Sequence, residues 1–194
     1  MQKHPASPRI ILAITGATGA ILGIRALDML RQADMETHLI ISGPARLTIA
    51  QETDWQIRDI ENLAAFVYQP EDIAAPIASG SFPTAGMLIL PCSIKTLSQI
   101  ANAHADNLIA RAADVCLKEG RPLILAVRET PLHRGHIRLM DLAAASGAII
   151  APPIPVFYHR PQTLEEMTDM IVGRLLQRLG ISLPGTFQWP GLDT

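Results

Sequence analysis

A chain of 194 residues, 48% of them hydrophobic, has the size of one domain with a substantial core. A net charge of -2 without a long Lys/Arg run excludes an electrostatic nucleic-acid binder, and two cysteines exclude a disulfide framework. Aromatics make up only 4%, so the core is aliphatic, and a mean hydropathy of +0.23 predicts a homo-oligomer with apolar interfaces.

Residues 1–8 are polar, lack an apolar signal core and read as a flexible N-terminus. Arg9–Thr15 is an apolar strand that runs into Gly16-Ala17-Thr18-Gly19-Ala20, and Ile21–Gln32 follows with helical apolar spacing. Glu36–Ile41 is a second strand, ending at Ser42-Gly43-Pro44, before a short helix over Pro44–Glu52. Thr53–Pro83 is the least regular stretch, with strand-like Ala65–Tyr68 and the loop Ala78-Ser79-Gly80-Ser81. Gly86–Leu90 is a strand ending at Pro91-Cys92-Ser93, and Ser93 N-caps a helix to Ala103. Asn107–Glu119 is a helix closed by Gly120. Pro122–Val127 is a strand ending at Arg128-Glu129-Thr130. A helix over His136–Ala145, a short strand at Ala148–Ala151 and a helix over Thr163–Leu179 follow, and 181–194 reads as an extended tail in which Trp189 packs on a neighbouring subunit.

Alternating strands and helices make βαβ units, hence an α/β domain with a parallel sheet spanning residues 1–194. The uncharged stretches Ile73–Ile94 and Leu142–Tyr158 are both broken by prolines, so neither is read as a membrane span, and the expected compartment is the cytoplasm. Ligands of such sheets bind at the carboxyl ends of the strands. Here those ends carry small, hydroxyl-bearing or charged residues, a rim suited to an anionic ligand.

Gly16–Ala20 lacks the full G-x-G-x-x-G pattern. It is either a tight βα turn or an anion cradle at a helix start. Ser93 and Thr96, three apart, are an N-cap plus a surface threonine, or two hydroxyls on one ligand. Cys92 reads as a small buried side chain. Arg111 and Lys118 share a helix face, as a solvated edge or as a cationic pair. Arg128-Glu129 is a structural ion pair, or an anion binder beside a proton relay. His133 and His136 have no carboxylate or cysteine cluster to complete a metal set and read as surface, capping or packing residues.

These segments, with Glu52-Thr53, Asn107–Val115, Leu117-Lys118-Glu119, Arg128–Leu132 and Pro155–Thr163, resemble in order the flavin prenyltransferases of the UbiX type. The resemblance implies a three-layer αβα, flavodoxin-like Rossmann fold in a homododecamer. It implies reduced FMN as acceptor, dimethylallyl phosphate as donor and no metal. The prenyl group joins the central-ring nitrogen and its neighbouring aromatic carbon of the flavin, and inorganic phosphate leaves. The prenylated FMN passes to a reversible decarboxylase of the UbiD type.

By the same resemblance Gly16, Ala17, Thr18, Ser42, Ser93, Ile94, Lys95, Thr96 and Arg128 line the FMN. Tyr158, Arg174, Lys118 and Arg111 hold the donor phosphate and come from more than one subunit. Glu129 is the acid–base group, with Thr18 and Glu52 beside the flavin. Two departures stand out: Thr18 replaces a more usual serine, and His133–Met140 gains Arg134 and replaces an amide with Leu139. The alternatives are an FMN-dependent decarboxylase of the related fold and a non-catalytic flavin carrier.

Overall fold

The computed structural model describes residues 8–183. The flexible N-terminus (1–7) and most of the extended tail, with Trp189, lie outside the described residues.

Six parallel strands form one sheet: β1 (Arg9–Ile14), β2 (Glu36–Ile41), β3 (Phe66–Tyr68), β4 (Met87–Cys92), β5 (Leu123–Val127) and β6 (Ile149–Ile150). Their order is β3-β2-β1-β4-β5-β6, so the chain winds outward from β1 and then outward again from β4. Such a sheet opens a crevice at the β1/β4 switch point.

The central strands are near-continuous aliphatic runs because helices cover both faces. Ile10, Leu12 and Ile14 of β1 point into a core shared with α1 (Ala20–Gln32), α2 (Gly43–Glu52) and α7 (Leu164–Gln177). Ile11 and Ala13, between them, point into a second core with α4 (Ile94–Ala101), α5 (Leu108–Lys118) and α6 (Arg134–Ala145). The one-residue alternation of β1 thus builds a three-layer αβα sandwich. Gly23 brings α1 close to the sheet: a Cβ there would overlap the Leu90 carbonyl of β4. On its outer side α1 is tied to α7 by Arg25, whose Nε and Nη2 donate to Asp169 at 2.5 and 3.0 Å.

Ser93 caps α4 as expected, and side chains cap two further helices. Asn107 Oδ1 accepts from Ala110 N at 3.0 Å, and Thr163 Oγ1 from Glu166 N at 3.1 Å. Helix α6 starts two residues before the expected His136, because the His133 ring accepts from Gly135 N at 3.0 Å and caps it. Strand β4 runs past Leu90 to Cys92, since a bulge sets Ile89 opposite Leu125 but Cys92 opposite Val127. The irregular stretch also holds a short helix, α3 (Ile57–Glu61), and a 3-10 turn over Pro76–Ala78. No helix among the described residues is long and apolar enough to cross a membrane.

Candidate active site

The carboxyl ends of β1, β2, β4 and β5 are stitched together by backbone. Ser42 N donates to Ile14 O at 3.0 Å, Thr15 N to Pro91 O at 3.2 Å and Arg128 N to Cys92 O at 3.0 Å. The buried Thr15 hydroxyl donates to Pro91 O at 2.7 Å and accepts from Ser93 N at 2.8 Å. Thr15 therefore fixes the turn that opens α4.

A cavity of about 700 Å³ lies on this rim. Its wall includes Gly16, Ala17, Ser42, Ser93, Ile94, Lys95, Thr96, Arg128 and Glu129, as the sequence led one to expect. Pro70, Glu71, Ile73, Gln99, Asp106, Asn107 and Ile109 complete it; the expectation omitted them. The rule that marked the other strand ends also covers Pro70 and Glu71, which follow β3. Gly16 makes the fit possible at the first turn, because a Cβ there would collide with Pro44 at the start of α2.

Two helices, α2 and α4, begin at this cavity. Ser42 Oγ accepts from Ala45 N at 3.2 Å. Ser93 Oγ accepts from Thr96 N at 3.3 Å and lies 3.1 Å from Thr96 Oγ1, so the serine caps as expected, Thr96 is buried and not a surface threonine, and both residues line the cavity. Neither Lys95 nor Arg128 makes an ion pair among the described residues, and Arg128 does not pair with Glu129. Glu129 Oε1 instead accepts from Thr130 N at 3.0 Å. Two helix starts, three hydroxyls and two unpaired cations fit a phosphate monoester, and the volume suits a cofactor-sized ligand.

Of the two readings of Gly16–Ala20, the α1 terminus fits the tight turn better than the anion cradle. Glu52 Oε2 accepts from Gly19 N at 2.9 Å and Ala20 N at 3.0 Å. The chain's own carboxylate thus fills the amides that an anionic ligand would use. Neither Glu52 nor Thr18 is among the residues that line the cavity. Cys92 is fully buried, which pushes its thiol up to about 12 and leaves it a packing residue.

Comparison with known proteins agrees with this geometry. The model of the Flavoprotein family matches residues 1–174. The flavin prenyltransferase UbiX of Escherichia coli K12 is 54% identical over 186 residues, covering 94% of this chain and 98% of that protein. The chain belongs to the UbiX flavin prenyltransferase family. Among solved structures, AnUbiX (PadA1) in complex with FMN and dimethylallyl pyrophosphate superposes with a TM-score of 0.94 at 44% identity, over 96% of this chain and 100% of that one. A dodecameric FMN-dependent UbiX-like decarboxylase from E. coli O157:H7 gives 0.91 at 44% identity, over 94% and 100%.

The four residues expected at the donor of a flavin prenyltransferase fall in different places on a single chain. Tyr158 and Arg174 line a separate cavity of about 330 Å³ between β6, the segment after it and α7. The Tyr158 ring lies 4.3 Å from that of His159, and Arg174 Nη1 is 3.4 Å from Gln177 Oε1. Arg111 donates from Nε to Ala78 O at 3.0 Å and pairs with Asp114 at 2.8 Å. Lys118 pairs with Glu119, whose carboxyl it holds below the usual carboxylate range. Neither cation is the bare solvated edge that spacing alone allows. Among the described residues no His/Cys/Asp/Glu group could hold a metal.

Proposed function

We propose that this protein transfers a dimethylallyl group from dimethylallyl phosphate to reduced FMN, yielding prenylated FMN and inorganic phosphate. The observation that carries the reading is the pair Arg128 and Glu129. They adjoin on the wall of the switch-point cavity, where neither neutralises the other. A carboxylate left unpaired beside a flavin-sized space is placed for proton transfer, and a free guanidinium beside it for holding an anion.

Gly16, Ala17, Ser42, the Ser93–Thr96 turn and Arg128 would hold FMN from the cavity wall and Thr18 from the adjoining turn, and the α2 and α4 starts suit its phosphate. Bound in its reduced form, FMN supplies the electron-rich ring that accepts the prenyl carbon. Glu129 exchanges the proton with the departing phosphate or the acceptor nitrogen. Glu52 acts by fixing the first turn through the Gly19 and Ala20 amides. Lys118, Arg111, Tyr158 and Arg174 hold the donor phosphate and stabilise it as it leaves. Because these four lie on separate surfaces of one chain, neighbouring copies complete the donor site, as in a dodecamer. The aliphatic part of the wall, Ile73, Ile94 and Ile109, limits water access to the allyl fragment. We place the enzyme in the cytoplasm, delivering its product to a UbiD-type decarboxylase.

The test is anaerobic incubation of the protein with reduced FMN and dimethylallyl phosphate, followed by the mass of the bound flavin and a phosphate assay. A flavin heavier by one prenyl group, with stoichiometric phosphate, is expected. An unmodified flavin and no phosphate would refute the assignment.

A further inference from the structure

The loop Ala78–Phe82, between the 3-10 turn and β4, is held by two arginines acting on its backbone. Arg111 donates to Ala78 O at 3.0 Å. Arg121, just beyond α5, forks: Nη2 donates to Gly80 O at 2.6 Å and Nη1 to Phe82 O at 2.8 Å. Within the loop Ser79 Oγ and Ser81 Oγ lie 2.9 Å apart. Guanidinium donors on three of its carbonyls give an otherwise irregular, half-buried segment one position.

The clamped loop faces the end of α5. A Cβ built on Gly80 lies 2.7 Å from Lys118 Nζ and overlaps the Glu119 carboxylate. The backbone of Gly80 does not adopt a positive φ. The missing side chain therefore serves space, not backbone freedom. The atoms it makes room for are the ends of two flexible side chains. An alanine there would push the ammonium and carboxylate aside while the fold stays intact.

We propose that Gly80 and Arg121 are positioning residues that set where the Lys118 ammonium sits. Gly80 supplies the seat and Arg121 holds the seat still. The inference rests on the reading of Lys118 as a donor-phosphate ligand. Arg121 touches no reactant; it works through the loop and the Lys118–Glu119 pair. The fork matters as much as the charge, since the Gly80 and Phe82 carbonyls take separate N–H groups.

The test is a double-mutant cycle in the full chain, reading the KM for dimethylallyl phosphate, the inhibition constant for inorganic phosphate and FMN affinity. Gly80→Ala is expected to raise the donor KM and the phosphate constant by about tenfold, the loss of one charge-assisted contact. FMN affinity should not change. Arg121→Lys keeps the charge but not the fork, and gives the same direction should Gly80→Ala fold poorly. In a Lys118→Ala background neither substitution should change donor KM by more than about twofold. An effect that persists in that background overturns the inference, because a general structural defect does not need Lys118. A normal loss from Lys118→Ala with none from Gly80→Ala or Arg121→Lys overturns the inference alone. No loss from Lys118→Ala overturns the underlying reading of Lys118 as well.

Discussion

Thr15 and Ser93 are 78 residues apart, yet the Ser93 amide donates to the Thr15 hydroxyl at 2.8 Å. The same hydroxyl donates to Pro91 O at 2.7 Å, so one buried side chain holds both ends of the β4-to-α4 turn. Thr15→Val keeps the shape, leaves the Ser93 amide without its partner and leaves Pro91 O with the Thr15 amide alone. A loss of about 1–3 kcal/mol is expected in urea unfolding, with weaker FMN binding by fluorescence titration. Thr15→Ser should retain most of both.

Glu52 caps α1 from 33 residues away. Glu52→Ala should lower stability by about 1 kcal/mol, as for loss of a helix cap, and weaken FMN binding with it. Glu52→Gln keeps an acceptor oxygen and should recover most of the stability. Turnover that collapses in Glu52→Gln while stability and FMN binding hold would mean that the carboxylate takes part in the chemistry instead.

Glu129→Gln tests the proton-transfer role directly. A fall in kcat of about a hundredfold is expected, with FMN affinity unchanged, because the amide keeps the shape but cannot exchange the proton. Loss of FMN binding in this variant would assign Glu129 a structural role.

Arg174→Ala should raise the KM for dimethylallyl phosphate by about tenfold or more without changing FMN affinity or assembly size. Steady-state kinetics and light scattering check it. Running the same assay with the pyrophosphate shows whether the pocket of Tyr158 and Arg174 accepts the longer headgroup.

His38 predicts an acid-sensitive edge of the sheet. It is buried, stacked on Phe66 and Tyr68 and edge-on to Phe82, with Nδ1 2.9 Å from Tyr68 Oη and Nε2 3.1 Å from Glu36 Oε1. Arg9 pairs with the same Glu36 oxygen at 2.7 Å. With Glu36 ionised, Nε2 carries the proton and Nδ1 accepts from the tyrosine. Burial pushes the imidazole below 6.5 despite the pull of Glu36. The unfolded chain then binds a proton first as pH falls, so this stability is complete above 6.5 and drains away as pH drops through the folded value. Burial works against the charge of Glu36, but the bonds from Arg9 and His38 outweigh it and hold its carboxyl below 4.5. Its contribution is present above 4.5 and lost at still lower pH. Thermal melts across this range should show Tm falling below pH 6.5, and His38→Gln should flatten the first part of that fall.

The sheet was legible because aliphatic runs ending in Ser, Gly, Arg or Glu mark both a buried strand and its exposed carboxyl end. Ser93 was legible as a cap, since a cap depends on residues three positions away; Asn107 and Thr163, read only as helix starts, cap by the same rule. Thr15 was not: at the end of an apolar run it looks like one more strand residue, and its partners come from β4 and the turn after it. Glu52 had no local signal as a cap, because its amides belong to another βα unit. The bulge in β4 also escaped, since register is a property of two strands and not of one. The separation of Arg111 and Lys118 from Arg174 on the monomer was not legible either, since it depends on how α5 and α7 fall on opposite faces of the sheet.

The paired hydrogen bonds from Arg25 to Asp169 couple two regions that otherwise share no lining residue. Helix α1 starts just after Gly16, which lines the switch-point cavity, and α7 carries Arg174, which lines the pocket of Tyr158, about one and a half turns beyond Asp169. Within a protomer, then, these two pieces of the machinery travel as one block. On the proposed function, any adjustment of their spacing to a longer or bulkier allylic reagent falls to the joints between protomers, where evolution or engineering can alter reach without disturbing the switch-point cavity.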